Sequence, residues 1–284
     1  MASTLGGAKW RRTVREQWNE ASRAWERWEA FIFAFLHPVD PVLLRALSLS
    51  PGQRVLDFGC GSGEPALQIA RWIGPRGRVV GLDVAAPMLE IARRRASLLG
   101  IGNVTFRRGD IARLPVRGPF DRVCSRFGIM FVDDVPRVLE HARRALKPGG
   151  RAVLSVWGPI ERNPALLLAS RAVRPFLEAP PPDPEQSPNP MRLARPGLLP
   201  RLMRAAGFHD VKVAKVPTYA VYPDAEFYVA SMLERAELVR MVYDRLSPAQ
   251  QRQVRMRLAR DVRRFPSGHA LRVPGHAWVV SARR

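Results

Sequence analysis

The chain has 284 residues, 46% of them hydrophobic, which suits one large domain, or one domain with an added cap, around a real core. No stretch reads as long and apolar enough to span a membrane, and the opening MASTLGGAKWRRTVREQWNE lacks the apolar segment of a signal peptide, so the chain is read as cytoplasmic. Two cysteines, Cys60 and Cys124, argue against a disulfide framework and a zinc site, while a net charge of +21, nearly all of it arginine, either attracts RNA, anionic lipid or acidic substrates or reflects a genome-wide preference for arginine over lysine.

In chain order, residues 14–36 are predicted as one helix. Val14, Trp18, Ala21, Trp25, Trp28, Ile32 and Phe35 alternate steps of four and three and so form a single apolar stripe. That stripe reads as plain packing, as a lid touching a ligand, or as a membrane face. His37-Pro38 should end the helix. Strands then alternate with helices: strands at 54–58, 78–83, 104–110, 120–127 and 151–157, and helices from Glu64, over 87–99 and over 134–146. This is the pattern of a doubly wound α/β sheet. Residues 178–198, which contain EAPPPDPEQSPNP, read as a proline-rich loop. A helix at 197–206 and a strand at 209–216 resume the pattern, 224–265 reads as a helical insertion, and 276–283 as a closing strand. Ser247, Pro248 and Gln250 have the spacing of a capping box. The resulting division is a helical lid (1–49), a core (50–160), a proline-rich cap loop (161–196), a core continuation (197–216), a helical substrate-lid insertion (217–270) and a closing strand (271–284).

The stretch VLDFGCGSGEPAL, residues 55–67, carries the chemistry. Its glycines, Gly59, Gly61 and Gly63, are spaced G-x-G-x-G, which is neither the G-x-G-x-x-G dinucleotide fingerprint nor a P-loop. Asp57 beside the loop would repel a pyrophosphate and welcome an ammonium or sulfonium group. A cationic cofactor without phosphates is therefore expected, and S-adenosylmethionine meets that description. The glycines let the backbone approach its amino acid tail, the following helix N-terminus favours its carboxylate, and Asp83 at the second strand's end suits the ribose hydroxyls.

VLDFGCGSGEPAL, VVGLDVAAPMLEIARRRA, GDIARLPV, FDRVCSRFGIMFVDD and RALKPGGRAVLSVW together resemble the successive motifs of class I S-adenosylmethionine-dependent methyltransferases, nearest to the ubiquinone/menaquinone-biosynthesis branch of small-molecule enzymes. The resemblance covers residues 50–160 strongly and HAWVVSARR weakly. It implies a mostly parallel, Rossmann-like, seven-stranded α/β sheet with helical cap or lid elements. It also implies that Asp57, Gly59, Gly61, Ser62 and Gly63 line the methionine end. Asp83 would bind ribose, Val84 and Met88 would pack on the nucleoside, and Asp110 with the Ile111 amide would read the adenine. Arg126 stands where relatives often place a small polar cofactor contact. An arginine there departs from the pattern and leaves open a role toward cofactor, toward substrate, or in an ion pair.

The sulfonium is already activated, so the protein's task is alignment, and a general base serves only some acceptors. His37, His141, His209, His269 and His276 are the candidate residue type for such a base, and none is assigned as catalytic. The candidate substrate pocket comprises Trp18, Trp25, Phe127, Phe227, Tyr228 and Met232, with helix core the competing reading for the last three. The acceptor is expected to be a small molecule, partly apolar, quinone-like or aromatic. The basic helix QQRQVRMRLARDVRRF (250–265) could meet an anionic membrane surface or RNA phosphates, or simply be a solvated face. RNA methylation is the alternative, but CSRFGIMF (124–131) is not the Asn/Asp-Pro-Pro-aromatic motif of amino-directed nucleic-acid enzymes, and no separate RNA-binding module is evident. A cofactor-binding sensor or scaffold is a further class.

Overall fold

Apolar runs bounded by glycine and proline become strands in the computed structural model, which describes residues 7–113, 118–179 and 183–284. The first six residues, the end of GDIARLPV and the triple proline 180–182 lie outside the described residues. In chain order the elements are α1 (Gly7–Arg27), α2 (Glu29–Leu36), α3 (Asp40–Leu47), β1 (Arg54–Phe58), α4 (Ala66–Ile73), β2 (Arg78–Asp83), α5 (Ala86–Leu98), β3 (Val104–Arg108) and β4 (Phe120–Arg126). There follow α6 (Val135–Ala145), β5 (Leu146–Trp157), α7 (Pro164–Val173), α8 (Leu198–Ala205), β6 (His209–Tyr222), α9 (Ala225–Arg235), α10 (Glu237–Tyr243), α11 (Pro248–Val262), β7 (Pro266–Ser267) and β8 (Ala270–Arg283).

The sheet runs β3-β2-β1-β4-β5-β8-β6, with the two-residue β7 pairing β8 off this path. The five strands from β3 to β5 are parallel, and β8 is antiparallel to both its neighbours. Strand order reverses between β1 and β4, and such a switch point opens a crevice at the strands' carboxyl ends. β1 is buried on both faces through Val55, Leu56 and Phe58, as a central parallel strand must be. Each such side chain contributes about 1.5–3 kcal/mol of burial.

β6 and β8 are longer than their sequence patterns suggested. β8 meets β5 only over 277–283, whereas its pairing with β6 continues from Ala277 back to Leu271. This overhanging ribbon carries a second apolar core, built from α7, α9, α10 and α11 around Tyr222, Tyr228, Val254 and Leu258. The segment expected as a proline-rich loop thus contributes α7 to a helical cap. In α11 the capping box of Ser247 and Gln250 is formed. Val254, Leu258, Ala259 and Val262 face the second core, so the apolar side of the basic helix is already covered.

The N-terminal stripe is two helices rather than one. α1 starts earlier than expected, and the chain breaks at Trp28, whose indole Nε1 donates to Glu234 Oε2 of α9 at 2.8 Å. His37-Pro38 does not end the helical run; a 3-10 turn leads directly into α3. The Glu29–Leu47 segment is long and apolar enough, by length and composition, to cross a membrane, which corrects the sequence reading. Here Pro38 and Pro41 start new helical pieces, and Ile32, Leu36, Val39, Leu43 and Leu47 pack into the main core.

Candidate functional site

A cavity of about 260 Å³ opens at the carboxyl ends of β1, β2 and β4 and is roofed by α1, α2 and the cap. Its concave shape and its largely apolar lining with a few polar groups fit a small-molecule site. Gly59, Gly61, Ser62, Asp83, Val84, Met88, Asp110, Ile111 and Arg126 all line it, as do Trp18, Trp25 and Phe127. Asp57 and Gly63 stand behind this lining. Phe227, Tyr228 and Met232 do not reach it. Tyr228 and Met232 are buried in the second core, where the Tyr228 hydroxyl donates to Ala165 O at 2.9 Å, and Phe227 packs against Trp28. The helix-core reading of those three is the one the geometry supports.

The glycine loop follows from local sterics. Gly59 has φ +69°, and a Cβ there would sit 3.0 Å from Gly128 Cα, so both conformation and space require glycine. At Gly61 (φ +50°) a Cβ would meet nothing within 4 Å, which marks open room above the loop. The amides of Gly59, Gly61 and Gly63 are already used, by Leu82 O, Asp83 Oδ2 and Cys60 O. The loop therefore offers space and shape more than free glycine donors. Arg95 of α5 ties it down through Ser62 O (2.7 Å) and Glu64 (3.1 Å).

Asp57 is fully buried behind the loop. Cys124 Sγ donates to its Oδ1 at 3.5 Å, and its Oδ2 has no partner. Burial pushes its carboxyl up to about 7, with the Cys124 hydrogen bond and the Arg126 charge acting the other way and Asp83 and Glu64 adding to the rise. A buried carboxylate with one orphaned oxygen is an uncompensated acceptor, and an arriving ammonium would satisfy it. Asp83 is raised as well, by burial, against hydrogen bonds from the Ala85 and Gly61 amides at 2.9 Å each. Each of its oxygens keeps lone-pair capacity for a ribose hydroxyl. Asp110 accepts from the Ala112 amide and lies 3.6 Å from Arg11 Nε, and Arg11 also pairs with Asp133. The residues present thus fit S-adenosylmethionine: Asp57 toward its ammonium, Asp83 toward its ribose, and Asp110 with Ile111 toward its base.

Arg126 resolves into an ion pair. Its Nη1 lies 3.0 Å from both carboxylate oxygens of Asp40, with the two side chains 5% and 4% exposed. It lines the cavity, but this nitrogen is committed to Asp40. α1 packs over the cavity: Trp10 Nε1 donates to Phe131 O at 2.8 Å, and Trp18 packs edge-on against Phe131 and Trp25. Trp18 and Trp25 also cover Met88.

Sequence reasoning missed Trp10, Arg11, Trp157 and Arg235, all of which line the cavity. Trp10 extends the stripe of Val14 and Trp18 by one more step of four, so it was findable. Trp157 stacks on Phe127 at 4.2 Å and on Phe35 at 5.2 Å. Among the described residues no histidine lines the cavity. His141 Nδ1 lies 3.3 Å from Ile111 O, just behind it, and His276 is buried beside Trp278.

Comparison with known proteins agrees with this geometry. A family model described as a methyltransferase domain matches residues 55–150. Nocamycin O-methyltransferase of Saccharothrix syringae is 30% identical over 247 residues, covering 82% of this chain and 86% of that protein. The 2-phytyl-1,4-naphtoquinone methyltransferase of Synechococcus elongatus is 41% identical over 106 residues, 37% of this chain and 46% of its own length, so here the match spans about half of the relative. Among solved structures, the YcgJ protein from Bacillus subtilis shares the fold, with a TM-score of 0.59 at 17% identity over 87% of this chain and 98% of that one. With the glycine loop, the orphaned Asp57 and Asp83 gathered at the switch point, these findings identify the chain as a member of the class I S-adenosylmethionine-dependent methyltransferases, related to the menaquinone and naphthoquinone methyltransferases.

Proposed function

We propose that the acceptor is a small aromatic or quinone-like molecule, held at the end of the cavity bounded by Phe35, Phe127 and Trp157. The observation that carries this reading is the Phe127–Trp157 stack at 4.2 Å, which forms part of the cavity lined by the glycine loop. A flat aromatic guest packs favourably against such a surface. The name of one relative adds support, since it is a methyltransferase named for a naphthoquinone.

When bound, S-adenosylmethionine would supply an activated methyl group on a sulfonium. The chain's own residues bind, orient and exclude water. Asp57 and Asp83 would hold the cofactor's ammonium and ribose, Trp18 and Trp25 of α1 would cover its nucleoside, and the aromatic wall would orient the acceptor. Good alignment alone can contribute about 7–11 kcal/mol toward methyl transfer.

We further read the exposed arginines of α11 as the surface for any contact with anionic membranes. Its apolar side being buried, that contact would rest on charge, and liposome binding that persists in high salt would contradict it. To test the acceptor reading, the pure protein is incubated with methyl-labelled S-adenosylmethionine and an extract of the source cells, and the label is partitioned. Label in the organic-soluble small-molecule fraction supports it. Label in RNA would instead make the +21 charge a binding surface and overturn it.

A further inference from the structure

Three arginines line the cavity, and two of them are neutralised. Arg11 is shared between Asp110 and Asp133, and Arg126 lies against Asp40. The third, Arg235 at the end of α9, has no carboxylate partner among the described side chains. Its Cζ lies 4.8 Å over the Phe31 ring, its Nη2 is 3.4 Å from Ser231 Oγ, and the Tyr222 hydroxyl is beside it. Its Nε is buried and has no hydrogen-bond partner. The guanidinium is thus held in place by an aromatic face and two neutral groups, with donors left over. Arginine stays charged in such a setting, and its planar fork matches a carboxylate or an ionised enol or phenol.

Resting on the acceptor reading above, we propose that Arg235 receives an anionic oxygen of the acceptor, so that the substrates are oxygen acids of aromatic type: carboxylates, or phenols and enols bound as their anions. Position supports this. Arg235 comes from the cap, whereas the groups that fit the cofactor come from the carboxyl ends of β1, β2 and β3 and the loops that follow. Chemistry supports it too. A fixed cation favours the ionised form of a nearby acid, so an acceptor held there arrives with its proton already lost. The cavity, which has no lining histidine among the described residues, then needs no general base for such an acceptor.

The test uses the full chain loaded with S-adenosylhomocysteine and matched ligands of one shape. By calorimetry, wild type should bind 2-naphthoate at least tenfold more tightly than 2-naphthamide, or the anion of 4-nitro-1-naphthol at least tenfold more tightly than its methyl ether. The first pair reports a carboxylate site and the second a phenolate site. Arg235→Gln should erase the preference, Arg235→Lys should keep part of it, and neither should change S-adenosylhomocysteine affinity more than about twofold. Equal binding of anion and neutral analogue by wild type, or a preference that survives Arg235→Gln, overturns the proposal while leaving the aromatic-acceptor reading intact. A tenfold loss of S-adenosylhomocysteine affinity in Arg235→Gln would also overturn it, by assigning the arginine to the cofactor. Binding of none of the four ligands removes both readings.

Discussion

Acidifying the solution from about pH 8 to about pH 5 should weaken cofactor binding by about a hundredfold, and the cause is Asp57. In the free protein, burial holds this carboxyl at about 7, so it is mostly protonated at the acid end of that range. A bound ammonium beside the orphaned Oδ2 favours the carboxylate and returns its pKa toward the ordinary range. Binding at low pH must then expel a proton. Two pH units below the free-state value cost about a hundredfold in affinity, or roughly 3 kcal/mol. The same shift fixes the sign of the stability effect. A raised pKa means that ionised Asp57 destabilises the fold, so the ligand-free protein should lose stability as pH rises from about 4 to about 7, by up to about 4 kcal/mol. Calorimetric titration with S-adenosylhomocysteine, repeated in buffers of different ionisation enthalpy, reads both the affinity and the proton released. Asp83 is also raised by burial and shares the cavity, so Asp57→Asn provides the control. A flat affinity profile in wild type, or an unchanged slope in Asp57→Asn, would refute the reasoning.

Asp83→Ala should lower cofactor affinity by ~10- to 100-fold, since each hydrogen bond to a charged group is worth about 1.5–3 kcal/mol and the Gly61 amide loses its acceptor as well; calorimetry showing unchanged affinity would remove its ribose role. Asp40→Asn should destabilise the fold by about 3–5 kcal/mol, because it leaves Arg126 buried without its counter-charge; a denaturant midpoint equal to wild type would contradict the ion pair's structural role. Gly59→Ala should cost about 1–2 kcal/mol of stability for the left-handed backbone alone, with the clash against Gly128 added and cofactor binding lost in parallel; unchanged melting and binding would refute the steric account.

The sheet was legible because parallel strands are short apolar runs between turn residues, and β1, β2 and β4 fall within a residue of where RVLDF, RVVGLD and FDRVCSRF place them. The cofactor end was legible for the same reason that family motifs exist: Gly59, Gly61 and Asp83 hold one backbone geometry that few other residues tolerate. The acceptor end was not. Tyr228 and Met232 sit on a helix whose apolar positions could face either core or cavity, and only the packing of α9 against α7 and α11 decides it. Arg235, one turn further along α9, looked like one basic residue among many. Its distinction is that no carboxylate pairs with it among the described side chains, which no local pattern records. The extension of β6 and β8 beyond the sheet depends on their pairing with each other, and so on contacts some sixty residues apart in sequence.

The most direct test of the account is a crystal structure of the protein with S-adenosylhomocysteine. The account predicts the ammonium facing Asp57, the ribose hydroxyls on Asp83 and the base beside Asp110 and Ile111, with the sulfur turned toward Phe127, Trp157 and Arg235. A ligand bound outside this cavity, or one whose sulfur faces away from the aromatic wall, would contradict it.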